Sequence, residues 1–156
     1  GVQVIAIDVN EQRLHYAKET IGVDYVVKVG PNAINEVAQI TDGNLCAAVF
    51  DASGNKIALE TGPDYMSHGG RFVLVGLYKG ELTYTHPKIH AKETTILCSR
   101  NATLEDFNHV ISVVDQFPTN SFITHNVHFT EMITHFEQWL KPESRVMKAT
   151  VHFYSE

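Results

Sequence analysis

Cysteine is scarce in this chain: Cys46 and Cys98 are the only two among 156 residues. Two thiols so far apart build neither a disulfide framework nor a four-cysteine zinc site, and both are expected to be free. Long apolar runs are missing as well. None approaches the ~18 residues of a spanning helix, and no cationic start followed by an apolar stretch marks a secretory leader. Positive charge is thin, with 12 Lys and Arg against 18 Asp and Glu, a net charge of −6, and no basic cluster. That balance argues against a surface that neutralises nucleic-acid phosphates. The expectation is a cytoplasmic protein with neither a nucleic acid nor a membrane as partner. Nucleophilic catalysis is poorly supported too, because Ser53 precedes Gly54 without the earlier glycine of a Gly-x-Ser-x-Gly elbow.

What the chain does have is a repeating alternation of apolar runs and helical patterns. The 44% hydrophobic content over this length is enough for one ordinary core. Residues 4–7 form an unbroken apolar run closed by Asp8, the pattern of a strand buried on both faces of a parallel sheet. Asn10 can cap the helix that follows, Leu14, Ala17 and Ile21 recur on one face, and Gly22 supplies a left-handed stop. A second buried strand is expected over 25–29. A weaker helix carries Ile34, Val37 and Ala38, and Asp42, Gly43 and Asn44 form a turn. The pattern then repeats with a strand over 47–51, a helix over 56–67 and a strand over 71–75. Such spacing marks crossover units in an α/β fold, a doubly wound parallel sheet with helices on both faces.

The rhythm loosens through 79–93, a polar loop with room for one helical turn, before a short strand at 95–98. Thr103 and Asp106 resemble a capping box for a long helix ending at Pro118, whose apolar face runs through Leu104, Phe107, Val110, Ile111, Val114 and Phe117. Beyond it, Ile123, His125, Val127 and Phe129 alternate with polar residues, as do Met147, Ala149, Val151 and Phe153. These read as half-exposed strands around a helix carrying Ile133, Phe136 and Leu140. Residues 1–100 are therefore expected to form one domain and 101–156 a separate helix-and-strand segment.

Ligands of parallel α/β sheets bind beyond the carboxyl ends of the strands, so the residues that close each apolar run are the candidates. A carboxylate at Asp8 can accept both hydroxyls of an adenosine ribose and repel a 2′-phosphate, or it can serve simply as a loop and capping residue. Arg13, one turn on, can lie along an adenine plane or be an ordinary exposed helix arginine. The small-residue turn 51–54 lets a flat ring approach the backbone and equally suits a structural turn. Gly76, between Val75 and Leu77, can expose backbone groups to a carboxamide or provide a sharp exit from the sheet. Nine histidines invite a metal reading, but His125 and His128 should face opposite sides of a strand and His86 and His90 flank Pro87 in a polar loop, so no metal site is expected.

The ordered segments VIAIDVNEQRLHYAKETIGVDYVV, AAVFDASGNKIALE, GGRFVLVGL, ITHNVHF and VMKATVHF together resemble the medium-chain dehydrogenase/reductase family over nearly the full chain. The stretch ETTILCSRN is most similar to its polyol, threonine and sugar-acid branch. The resemblance implies a zinc-type alcohol dehydrogenase that passes a hydride from a secondary alcohol to NAD, and a homo-oligomer is expected because strands without their family neighbours leave open apolar edges that recruit other chains. It assigns Asp8 to the adenosine ribose, Arg13 to adenine, Ser53 and Gly54 to the adenine side, and Val75, Gly76 and Leu77 to the nicotinamide. Ser99 and Arg100 would border the nicotinamide and substrate cleft, and Lys148 would approach the pyrophosphate.

The family's Gly-rich phosphate fingerprint, its Cys and Gly-His-Glu zinc ligands and its structural zinc lobe are not in this sequence. The resemblance thus implies a Rossmann-like domain lacking its first strand, inactive alone, with zinc only in the full-length parent. A zinc-free quinone or enoyl reductase and a non-catalytic nucleotide-binding module remain alternatives, though Asp8 weighs against the reductases, which generally favour NADP.

Overall fold

The computed structural model describes residues 1–154, the side chain of Pro142 excepted. The chain divides into two compact units, one comprising Gly1–Lys18 with Gly22–Ala102, the other Glu19–Ile21 with the chain from Thr103 onward.

The first unit alternates strands and helices as β1 (Ile5–Asp8), α1 (Glu11–Tyr16), β2 (Tyr25–Lys28), α2 (Ala33–Ile40), β3 (Cys46–Asp51), α3 (Lys56–Thr61), β4 (Met66–Leu74), α4 (His86–Ala91) and β5 (Thr95–Cys98). Local chemistry starts the helices. The Asn10 side chain accepts from the amides of Gln12 and Arg13, and Asn55 does the same for Ile57 and Ala58, satisfying donors that a helix start leaves unpaired. After α1 a π-helical turn, Ala17–Ile21, ends at Gly22, whose φ of 80° is the left-handed conformation that glycine adopts without strain.

All pairings in this unit are parallel. β1 pairs with β2, and β3, β4 and β5 form a separate ladder in that order. β1 and β3 do not pair with each other, so each keeps a free edge among the described residues. The two sheets share one core, in which Val27, Ala33 and Val37 are buried and Ile5, Ile7, Leu45, Cys46 and Tyr65 pack against them. Leu59, Met66 and Phe72 are fully buried as well.

Several expectations need correction. The helix expected over 56–67 ends at Thr61, passes through a 3-10 turn at Gly62–Tyr65, and gives way to β4 at Met66. Pro63, which brings no amide hydrogen, stands where the helix would continue, and Gly62 lets the chain pass the Phe72 ring, which a Cβ there would meet at 2.3 Å. The helical turn that the 79–93 loop had room for is α4, with Pro87 in its first turn. Full burial of the strands does not hold either. β1 is only half-buried, β5 is exposed along its length, and Phe50 of β3 is 67% exposed. Apolar residues in a parallel strand are covered only when layers lie on both faces, and the described residues do not supply both.

The second unit contains α5 (Leu104–Val113), α6 (Thr119–Phe122), β6 (Ile123–His128), α7 (Met132–Trp139) and β7 (Lys148–His152). β6 and β7 form their own parallel pair. The capping box at α5 is complete: the Asp106 amide donates to the Thr103 hydroxyl at 3.3 Å and the Thr103 amide donates to the Asp106 carboxylate at 2.7 Å. The apolar face of α5 is exposed throughout, from Leu104 at 75% to Val114 at 38%.

Candidate functional site

The expected site residues of the first unit all stand at or just beyond the carboxyl ends of strands, in two groups. The first group closes β1. Asp8 is half-buried, one carboxylate oxygen accepts the Asn10 amide at 2.8 Å, and the other lies 3.8 Å from the Arg13 guanidinium. The Asn10 bond is the loop role that any Asp there could play. Among the described residues the second oxygen has only the exposed Arg13 beside it and is free to accept hydroxyls.

The second group is organised by Asp51, the last residue of β3 and the one buried charged side chain among the described residues, 8% exposed. Its carboxylate accepts the amides of Ser53 at 3.1 Å and Gly54 at 3.0 Å and the Ser53 hydroxyl at 2.9 Å. Its carbonyl accepts the amides of Val75 at 2.9 Å and Gly76 at 2.8 Å. Asp51 thus fastens the turn after β3 to the exit of β4. Gly54 has φ of 63°, and its missing Cβ would meet the Leu77 carbonyl oxygen at 2.7 Å. Both glycines are needed first for loops to touch, the structural alternative to ligand approach. Leu77 is 82% exposed. Ser99 joins this edge through its amide, which donates to the Leu74 carbonyl at 3.0 Å, while Arg100 is exposed after β5.

Tyr84 was not expected here. Its hydroxyl is buried with no hydrogen-bond partner among the described residues. Burial pushes its phenol upward, aided by the charge of Glu60 and by Cys98 and Asp51, so the hydroxyl stays protonated as a donor. The loop that carries it is strapped to α3. Glu60 accepts from Lys56 at 2.6 Å and from the Thr83 amide at 2.8 Å, and Lys56 also donates to the Glu81 carbonyl at 2.7 Å. The Lys56 bond and then the Thr83 amide lower the Glu60 carboxyl. Asp51 closes an apolar run and so stood among the candidate positions, but no local periodicity marks Tyr84 in its polar loop.

Lys148 belongs to the second unit. It is exposed at the start of β7, and its carbonyl accepts the Thr124 hydroxyl at 3.3 Å. The chain holds no helix long and apolar enough to cross a membrane among the described residues.

A family model described as zinc-binding dehydrogenase matches residues 1–116. The chain belongs to that family. The L-galactonate-5-dehydrogenase of Escherichia coli is 31% identical over 158 residues, covering 98% of this chain and 46% of that protein. An NAD-dependent alcohol dehydrogenase of Sulfurisphaera tokodaii is 28% identical over 132 residues, covering 84% of this chain and 38% of that protein. Among solved structures, an alcohol dehydrogenase of Escherichia coli complexed with NADH superposes with a TM-score of 0.79 at 25% identity, covering 97% of this chain and 44% of that one. This zinc-binding dehydrogenase chain therefore spans about half the length of the relatives it matches. Among its described residues no three or more His, Cys, Asp or Glu are grouped to hold a metal ion.

Proposed function

We propose that this chain is the NAD-binding part of a zinc-type dehydrogenase that oxidises a secondary alcohol of a polyol, hydroxy amino acid or sugar acid. The observation that carries the reading is Asp8. It is a half-buried carboxylate at the end of β1, with one oxygen committed to the Asn10 amide and the other unspent beside Arg13. That donor-free, negatively charged acceptor suits the two hydroxyls of an adenosine ribose and repels a 2′-phosphate. Arg13, 3.8 Å from Asp8, is assigned to adenine in the same reading.

NAD, when bound, supplies the hydride acceptor. The loops pinned by Asp51 serve its two ends in this reading. Ser53 and Gly54 form the adenine side, Val75, Gly76 and Leu77 offer backbone groups to the nicotinamide carboxamide, and Ser99 and Arg100 border the substrate cleft. Tyr84 adds a protonated hydroxyl near the second group. Lys148 is assigned to the pyrophosphate by charge complementarity. The residues present do not suit a catalytic zinc ion, which takes three protein ligands and an open position. We therefore assign zinc to the full-length protein, and with it turnover, the alcohol substrate and a cytoplasmic homo-oligomer, and expect this chain to be inactive alone.

The test is calorimetric titration of the chain with NAD and with NADP. NAD is expected to bind more weakly than micromolar but more tightly than NADP, and Asp8→Ser to narrow the difference. Equal binding of the two by the unaltered chain would overturn the assignment.

A further inference from the structure

Helix α4 brings His86 and His90 onto one face, four residues apart, with ring centroids separated by 5.4 Å. We propose that this pair is a two-histidine clip for a divalent late-transition-metal ion. Residues i and i+4 of a helix lie one above the other, which is the spacing by which helical histidines share a metal. Metal–nitrogen bonds of about 2.0–2.1 Å put two rings on one ion with centroids ~5 Å apart, so the observed separation needs only a small side-chain adjustment. The rings are tilted by 52° rather than stacked, which leaves both edges accessible.

The surroundings suit such an ion. His86, His90 and Glu93 line one open groove with His68 of β4 and with Thr94 and Ile96 at the entry to β5. Both histidines are exposed, so binding carries no burial of charge. Among the described residues no third side chain is close enough to share the ion directly. Water completes the coordination, with His68 and Glu93 available to hydrogen-bond it. Imidazole nitrogen favours copper, nickel and zinc, and among divalent ions of the first row Cu2+ binds such a site most tightly. The groove opens beside the amino end of β5, whereas Asp8 and Asp51 close the carboxyl ends of their strands. The clip also bridges one turn of a six-residue helix, too short to be stable by itself, so a bound ion should hold α4 in place.

The experiment is Cu2+ titration of the metal-stripped chain, followed by paramagnetic resonance for nitrogen coupling, with thermal unfolding measured in parallel. The expected result is a spectrum with two equivalent nitrogens and a higher melting temperature in the presence of the ion. The double variant H90A/A91H keeps the histidine count but moves the second ring off the shared face. It should bind roughly tenfold more weakly or worse and lose the second nitrogen. A second half-buried pair, His128 and His152, has centroids 5.4 Å apart across β6 and β7 and provides the control. The spectrum should persist in H128N/H152N. Unchanged binding by H90A/A91H, or loss of the signal only in H128N/H152N, would overturn the proposal. Since residues 86, 90 and 91 are exposed, unaltered circular dichroism separates loss of the site from loss of the fold.

Discussion

The backbone of Gly76 lies against that of Gly54 so closely that a Cβ on Gly76 would meet the Gly54 amide nitrogen at 2.2 Å. Two turns that follow different strands, β3 and β4, are thereby locked into one surface. Backbone cannot yield as a flexible side chain can. Gly76→Ala is therefore expected to cost about 1–3 kcal/mol and to displace the Val75–Leu77 segment. Urea unfolding measures the first effect and amide shifts at Ser53 and Gly54 the second. A variant as stable as the parent with unchanged shifts would mean that the two turns are not in contact.

Asp51 holds the same junction from below. Its carboxylate receives the Ser53 and Gly54 amides and the Ser53 hydroxyl while buried at 8% exposure. Asp51→Ala leaves those donors without their acceptor, and a loss of about 2–4 kcal/mol is expected. Ser53→Ala removes one of the three bonds and should cost about 1 kcal/mol. The ordering of the two variants in denaturant midpoint is the check, and Ser53→Ala being the more damaging would contradict this account.

The capping box gives a pH dependence with a defined sign. The Thr103 amide, and then the Thr103 hydroxyl, lower the Asp106 carboxyl below its ordinary value of 3.8. A carboxyl lowered by folding stabilises the native state above the unfolded value and loses that contribution as pH falls through the folded one. The window is therefore at and below about pH 4. Thr103→Ala removes the hydroxyl that caps the helix and accepts the Asp106 amide, so it should cost ~1 kcal/mol near neutrality. Its stability difference from the parent should shrink in acid. Denaturant curves at pH 7 and pH 3 test this, and a gap that widens in acid would reverse the sign.

Asp8 and Arg13 predict cofactor choice in the full-length protein, following the proposed function. Asp8→Ser should move the ratio of kcat/KM for NAD over NADP toward unity by relieving like-charge repulsion with the 2′-phosphate. An enzyme that already prefers NADP would refute the role given to Asp8.

Free strand edges and uncovered apolar side chains predict self-association of the isolated chain. Among the described residues β1 and β3 each keep an unpaired edge, and Phe50, Leu104 and Ile111 are more than 65% exposed. Open apolar edges recruit other chains. Light scattering should show dimers or larger species at micromolar concentration, and a clean monomer would show that these surfaces are tolerated.

The features readable from sequence were those set by neighbours within four residues. Asn10 caps α1, Gly22 ends the turn after it in a left-handed conformation, and Thr103 closes a box with Asp106, because each of these satisfies backbone groups of its own helix terminus. The parallel α/β rhythm was legible for the same reason, since periodicity is local. Tertiary structure decided the rest. The helix after Asn55 stops at Thr61 ahead of Pro63, and the close seat of Gly62 against the Phe72 ring, which a Cβ would meet at 2.3 Å, comes from the tertiary structure alone. Asp51 became the organiser of the loop surface only when β4 delivered Val75 and Gly76 to its carbonyl. His128 met His152 through the pairing of β6 with β7, and His86 met His90 because the helical turn that the 79–93 segment had room for formed over His86–Ala91. Whether an apolar strand residue is buried was likewise beyond the sequence, because burial depends on which layers lie over it: Val27 of β2 and Phe72 of β4 are buried, while the equally apolar Ile96 and Leu97 of β5 are exposed.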